Sequence, residues 1–455
     1  MTQPQQPDSS MSRRNVLVLA YIFPPFFSVG GSIRVVKFLK YLPTLGWKPF
    51  VVTVDDSREY KSLRRGGSEE LLADLPPEVV VCRTAAGEPS AELLERGRQA
   101  RERSRLAKIV VNTLRAIRDW GTKWVLIPDE NITWLPFAIR QGRRVVREAG
   151  IDVLFATCPP HSAAVIGALL KLLTRKPLVL DFRDDWVDTR WQQTRPALVR
   201  ALNRLLEWWS VRTADRVVLV TPLSREMFVR RYPRQQAEKF VYIPNGTDLA
   251  DYPFADAPAS APATDRPFTI VHAGLLSVAE DWPRSPEAVF RAIVHLREAQ
   301  PEVGKHIRLL FTGELPEEYR AQVRALGLQD AVQEVGYLPR PEFADLLQSA
   351  DLLLTINYHG FPTLIPGKIY EYWAVGGPPI LLLSSPGAAQ QLIDQYRLGM
   401  TVENDDSRGV AAALVDLYRR RQAGNPLRIR RDGITDFARE KLAARLAQTL
   451  DEVMR

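Results

Sequence analysis

The sequence predicts an α/β protein built from two doubly wound, parallel-sheet domains. Three observations carry that prediction. At 455 residues the chain is too long for one ordinary core. Short apolar runs alternate with helix-period segments from one end to the other. A stretch rich in Ala and Pro, ADAPASAPATDRP, breaks the alternation near the middle.

In chain order, residues 1–14 are polar and read as a disordered tail. NVLVLAYIF then forms a buried strand, SIRVVKFLKYLPTLGW a helix, and PFVVTV the next strand. The pattern returns as DVLFAT, a helix from Ser162, PLVLDF, a helix ending near Thr213, and RVVLVT. Strands this apolar belong to a sheet covered on both faces. The first domain is therefore 15–247 and the linker 248–267. A second domain, 268–430, repeats the scheme through FTIVHAG, IRLLFTG, VQEVGYL, ADLLLTIN and PPILLL. Residues 431–455 form a last amphipathic helix expected to pack back on the first domain.

Composition excludes several classes. Cys82 and Cys158 are the only cysteines, too few for a disulfide framework or a zinc cluster, and they fit a reducing, cytoplasmic setting. VLVLAYIFPPFF is interrupted by Pro24 and Pro25 and lacks a small-residue cleavage site, so no signal peptide is expected. No run reaches the 18 or so apolar residues of a spanning helix. The net charge of +8 is uneven: residues 1–245 hold 39 Lys and Arg against 25 Asp and Glu, and residues 246–455 hold 22 against 28. The first half is thus expected to meet something anionic.

Four stretches can carry chemistry. In SVGGSIRVV, Gly30 and Gly31 let backbone approach a ligand, and Ser32 can cap a helix whose free N–H groups favour phosphate. In TCPPHSAA, His161 lies between a strand end and a helix start; taken alone it is as well explained as a capping or surface residue. In LVLDFRDDW, Asp181 and Arg183 form a strut or reach into the cleft. Asp184 and Asp185 are adjacent with no further ligands nearby, so no metal site is expected. In FPTLIPGKIYEYWAVGG, Lys368 opens a helix, where the dipole disfavours a cation. Such a local inconsistency points to a site in which Lys368 and the helix end hold a diphosphate and Glu371 accepts from a ribose diol. A plain surface pair between Lys368 and Glu371 is the alternative.

The ordered set PPFFSVGGSIR, TCPPH, VLDFRDDW, VYIPNGTD, HAGLLS, FTGELP, VGYLPRPEFADLLQSADLLL and PGKIYEYWAVGGPPIL resembles the family 4 (group 1) glycosyltransferases of GT-B type. The resemblance runs over about residues 15–420. It implies two Rossmann-like domains, with a nucleotide-sugar donor bound mainly to the second. Glu371 matches the second glutamate of the family's E-x7-E motif, which holds the donor ribose. His161 matches the histidine facing the donor sugar, and Gly30 and Gly31 the loop near the diphosphate. Gly274 belongs to the second-domain turn, and backbone at Gly336, Tyr337 and Leu338 is expected to read the base.

The chain departs from the pattern twice. Thr363 stands where the first glutamate belongs, and Leu275 follows Gly274 where a cation-bearing turn is usual. Arg284 and Lys368 are the expected substitutes, and His161, Arg284 and Lys368 the expected catalytic set. The resemblance implies retaining transfer without a metal or other cofactor, to a saccharide or a lipid-linked saccharide, as in surface-polysaccharide or glycoconjugate assembly. A non-catalytic binding protein and a sugar-nucleotide epimerase are the competing readings. Nucleic acid is not an expected partner, because seven of the ten Trp lie between 120 and 209 in what reads as core. Residues 91–124 read as a basic amphipathic helix ending in Trp120 and Trp124. It either touches an anionic membrane or packs as a solvated helix on the domain.

Overall fold

The computed structural model describes residues 14–27, 31–57, 64–65, 69–87, 126–252, 266–274, 276–278, 284–336 and 338–455. Gly30, Tyr337, Leu275, the basic segment 91–124 and most of the linker lie outside the described residues.

The first sheet contains β1 (Arg14–Leu19), β3 (Trp47–Val54), β5 (Val80–Thr84), β6 (Val153–Cys158), β7 (Leu178–Phe182), β8 (Arg216–Leu219) and β9 (Phe240–Tyr242). They lie in the order β5-β3-β1-β6-β7-β8-β9, and every pairing is parallel. A small antiparallel pair, β2 (Phe26–Phe27) with β4 (Arg64–Arg65), stands apart. The second sheet contains β10 (Phe268–His272), β11 (Ile307–Phe311), β12 (Val332–Glu334), β13 (Leu352–Ile356), β14 (Ile380–Leu383) and β15 (Gly399–Val402). Its order is β12-β11-β10-β13-β14-β15, again all parallel.

Both sheets reverse direction of growth once, between β1 and β6 and between β10 and β13. The crevice beyond the strand ends at such a reversal is where open α/β sheets hold ligands. Every residue of β6, β7, β13 and β14 is buried, which explains why these strands read as continuous apolar runs.

Two polar devices join distant segments. Arg34, on the helix Gly31–Tyr41, and Asp181, on β7, are both 0% exposed and pair through Nη2 to Oδ1 at 3.0 Å and Nε to Oδ2 at 3.3 Å. Arg34 also donates to the carbonyls of Ile243 and Pro244, and Thr157 Oγ1 donates to Asp181 at 2.8 Å. Asp181 is therefore the strut, with Arg34 as its partner in place of Arg183. On the same helix Lys37 Nζ donates to Asp248 at 2.8 Å, and Tyr41 donates to the other Asp248 oxygen at 2.8 Å.

The helix Arg439–Glu452 packs against Gly31–Tyr41, burying Leu442, Leu446 and Leu450 with Val35, Val36 and Leu39. Just before it the chain meets the end of the first domain: Thr247 N–H donates to the Phe437 carbonyl at 3.0 Å and Arg439 N–H to the Thr247 carbonyl at 2.9 Å. Gly246 makes this approach possible. Its φ is +58°, and a Cβ there would sit 2.1 Å from the Phe437 oxygen.

One helix is turned against the usual sense. In Ala197–Thr213 the buried side carries Asn203, Glu207 and Ser210 beside Val199 and Val211. Asn203 accepts from Trp186 Nε1 at 2.8 Å, and Glu207 accepts from Arg231 at 2.7 Å and from the Tyr232 hydroxyl. Leu198, Leu202, Leu205 and Trp208 of this helix face outward, while Leu206 and Trp209 pack against the core.

Candidate active site

The second-domain wall is built at the ends of β10 and β13. His272 closes β10, is 2% exposed, and bonds through Nδ1 to the Leu354 carbonyl at 3.0 Å. A carbonyl only accepts, so Nδ1 carries the proton and Nε2 is left as an acceptor. Nε2 is buried with no protein partner. Burial, with Arg284 and Lys368 nearby, pushes the imidazole down to about 4, so it is neutral at pH 7. Gly274, two residues on, has φ +140°, and a Cβ there would come to 4.0 Å from that Nε2. Glycine therefore keeps the approach to His272 open.

The next residue fixes the neighbouring helix. The Ala273 N–H donates to the Tyr372 hydroxyl at 2.8 Å, and that hydroxyl lies 3.2 Å from the Leu354 carbonyl as a donor. Tyr372 thereby ties the helix Lys368–Val375 to both strand ends and sets the position of Glu371. Glu371 lies in the first turn, where the helix dipole favours a carboxylate. Its Oε2 accepts from Lys368 Nζ at 2.7 Å and from the Tyr252 hydroxyl at 3.1 Å. Lys368 thus forms the i,i+3 pair with Glu371, and its ammonium also lies 5.0 Å from the Phe343 ring centre. Arg284 forms a short antiparallel backbone bridge with Ser277, and its guanidinium lies 4.2 Å over the Tyr358 ring. The structure therefore gathers Arg284, Lys368, Glu371 and Gly274 around His272.

The first-domain wall is built at the end of β6. His161 precedes the helix Ser162–Thr174 and stacks on Trp186 at 4.9 Å and 16°. Burial pushes its imidazole down to about 3, partly offset by a hydrogen bond with the Asp184 backbone. Its Nε2 is buried without a partner. The helix cap comes from elsewhere: Asp129 accepts from the Ser162 N–H at 3.0 Å and from the Ser162 hydroxyl. Arg183 donates to the carbonyls of Cys158 and Pro159 at 3.0 and 2.6 Å, fixing the turn that carries His161. Gly31 begins its helix, and Ser32 beside it is fully buried with an unpartnered hydroxyl.

The two walls touch. Thr363, 7% exposed, donates from Oγ1 to Asp185 of the opposite domain. A narrow cavity at this contact is lined by Arg183, Asp184, Asp185, Phe361, Pro362 and Thr363, among others. Burial raises the carboxyl pKa of both Asp184 and Asp185. Gly336, with φ +81°, and half-buried Leu338 follow β12, two strands from the reversal at β10. Among the described residues no group of three or more His, Cys, Asp or Glu is placed to hold a metal ion.

Sequence reasoning missed His272, Asp129 and Tyr252, and weighed Asp185 only as a metal ligand. His272 was legible in HAGLLS, since a histidine closing a buried strand at a domain's first β-unit sits at the reversal point. Asp129, Asp185 and Tyr252 act across 33, 178 and 119 residues of chain, and no local pattern names their partners.

Family models agree with this architecture. Residues 29–251 match the model described as Glycosyltransferase Family 4, and residues 271–420 that described as Glycosyl transferases group 1. Together they cover well over half of the chain. Among solved structures, the crystal structure of Anabaena Alr3699/HepE in complex with UDP is similar at a TM-score of 0.63 and 16% identity, covering 96% of this chain and 100% of that one. Sucrose-phosphate synthase from Thermosynechococcus elongatus is similar at a TM-score of 0.63 and 17% identity, covering 97% and 99%. The lipopolysaccharide outer core galactosyltransferase WaaB, in its apo form, gives 0.58 and 12%, covering 96% and 99%. A comparison with curated sequences finds no significant match. The chain belongs to the family 4 (group 1) glycosyltransferases of the GT-B fold.

Proposed function

We propose that the protein moves a sugar from a nucleoside-diphosphate sugar to a hydroxyl of a saccharide or lipid-linked saccharide, with retention at the anomeric carbon and without a metal. The observation that carries this reading is that two buried, neutral histidines each leave Nε2 without a partner, His161 following β6 in the first domain and His272 closing β10 in the second. UDP bound to the similar Anabaena protein supports a nucleoside diphosphate as the donor's leaving part.

Breaking the sugar–diphosphate bond leaves negative charge on the departing phosphate. Arg284, Lys368 and the first N–H groups of Lys368–Val375 supply the opposing charge. Glu371 is fixed in its first turn to accept from the ribose hydroxyls, and ribose replaces Tyr252 or Lys368 as a donor to it. His161 Nε2 receives a hydroxyl of the transferred sugar. Thr363 and Asp185 fill the place of the missing glutamate, with the carboxylate coming from the first domain. Contact between the walls excludes water and limits donor hydrolysis. Surface-polysaccharide or glycoconjugate synthesis is the setting such a reaction serves.

The test is turnover of UDP-sugars followed by proton NMR of the product's anomeric centre, with and without a chelator. The expected result is UDP release with retained configuration, unchanged by the chelator. An inverted product, a chelator-sensitive rate, or conversion of donor to its epimer without UDP release overturns the reading.

A further inference from the structure

We propose that the outer face of the helices Ser162–Thr174 and Ala197–Thr213 docks on an anionic lipid bilayer. The helix Ala197–Thr213 turns part of its apolar surface to solvent. Its stripe of Leu198, Leu202, Leu205 and Trp208 recurs at helical spacing and is 60%, 37%, 55% and 46% exposed. The two helices pack side by side, and Ser162–Thr174 contributes Leu172 and Leu173, at 59% and 51%. Six of the fourteen exposed large apolar side chains among the described residues therefore belong to one pair of helices. Single exposed leucines need no explanation, whereas a contiguous apolar stripe does.

Charge selects the occupant. Residues 162–176 contain no acid, and 197–213 contain only Glu207, which is fully buried against Arg231 and Tyr232. Asp215, just beyond, is held by Lys171 at 2.6 Å and by the Leu178 N–H. Arg175, Lys176, Arg204 and Arg212 flank the stripe, Arg212 lying 5.7 Å over Trp208. An apolar stripe with a cationic rim and an interfacial Trp matches the boundary of an anionic bilayer. A second copy would set this basic face against itself. The chain's own segment 91–119 carries eight cations against four anions and would be repelled in the same way. Topology places the surface usefully. Connecting helices run antiparallel to their strands, so Leu198 lies at the end nearest the cleft and Leu172 at the far end.

The test is sedimentation of the full chain with vesicles of phosphatidylglycerol in phosphatidylcholine, and with phosphatidylcholine alone. Wild type is expected to pellet with the anionic vesicles and to be released by salt. Leu198→Glu with Leu205→Glu should weaken binding by about tenfold or more, and Arg204→Glu with Arg212→Glu should do likewise. Because these side chains are exposed, both variants should keep the wild-type unfolding midpoint. The proposal is overturned if wild type ignores anionic vesicles or pellets equally with neutral ones. It is also overturned if the leucine variant binds as wild type while charge reversal of Arg101, Arg103 and Arg105 abolishes binding. Light scattering that shows a dimer broken by the leucine variant would assign the face to a second copy and overturn it as well.

Discussion

Replacing Asp181 with alanine strands a guanidinium inside the first domain. Arg34 and Asp181 are both fully buried, and the substitution deletes two charge-assisted hydrogen bonds at 3.0 and 3.3 Å. Arg34 keeps the Ile243 and Pro244 carbonyls, so part of its hydration is still replaced, but its countercharge is gone. Breaking a buried pair from one side costs ~3–5 kcal/mol. The Thr157 hydroxyl loses an acceptor in addition, which favours the upper half of that range, about 4 kcal/mol. For a domain of this size each kcal/mol moves the midpoint by ~2–4 °C, so the first-domain transition should fall by roughly 8–16 °C. Urea unfolding followed by circular dichroism measures the free energy, and a thermal scan gives the midpoint. Removing both partners, Arg34→Met with Asp181→Leu, should cost less than Asp181→Ala alone, because no charge is then left unpaired. A single-variant loss below about 1 kcal/mol, or a double variant as weak as the sum of its singles, would show that Arg34 and Asp181 do not act as a coupled buried pair.

Other outcomes follow from the site. Arg284→Ala should slow donor turnover by about 10²–10³, the usual cost of one lost oxyanion donor, and a loss under tenfold would remove it from the chemistry. Stability should fall on mild acidification. An unfolded imidazole binds its proton near 6.5 and folded His272 only near 4. The unfolded state therefore holds more protons between those values, and the stability present above pH 6.5 is lost as pH drops toward 4. At ~1.36 kcal/mol per pH unit the fall is about 3 kcal/mol, and His161 acts in the same direction. Urea midpoints at pH 7 and pH 5 test this, and His272→Gln should flatten the profile. Asp185→Asn should raise the KM for the nucleotide-sugar by about tenfold, one hydrogen bond's worth, with affinity for the nucleoside diphosphate alone unchanged. An equal effect on both ligands would place Asp185 outside the sugar pocket.

Much of the fold was legible because its strands are buried on both faces and so stand out as apolar runs, as in VLFATC and LVLDF. The Lys368–Glu371 pair was legible because a cation opening a helix conflicts with the dipole. The strut was half legible: charge after an apolar strand marked Asp181, but Arg34 lies 147 residues away and nothing local names it. The reversed helix shows a different limit. Periodicity reveals that Ala197–Thr213 has an apolar and a polar stripe, and the usual inference places the apolar one inside. Here Trp186, Arg231 and Tyr232 give Asn203 and one oxygen of Glu207 partners in the interior, so these polar side chains can be buried while Leu198, Leu202 and Leu205 turn outward.

The proposed function requires that a nucleoside diphosphate be held in the cleft by the helix that carries Glu371. Thermal stability against a panel of nucleoside diphosphates and their sugars, for wild type and Glu371→Ala, tests it most directly. A ligand at about 100 times its Kd stabilises the native state by ~2.7 kcal/mol. The expected result is an upward shift with one nucleoside diphosphate, UDP first, that is lost in Glu371→Ala. No shift with any nucleotide, or a shift of equal size in the variant, would contradict it.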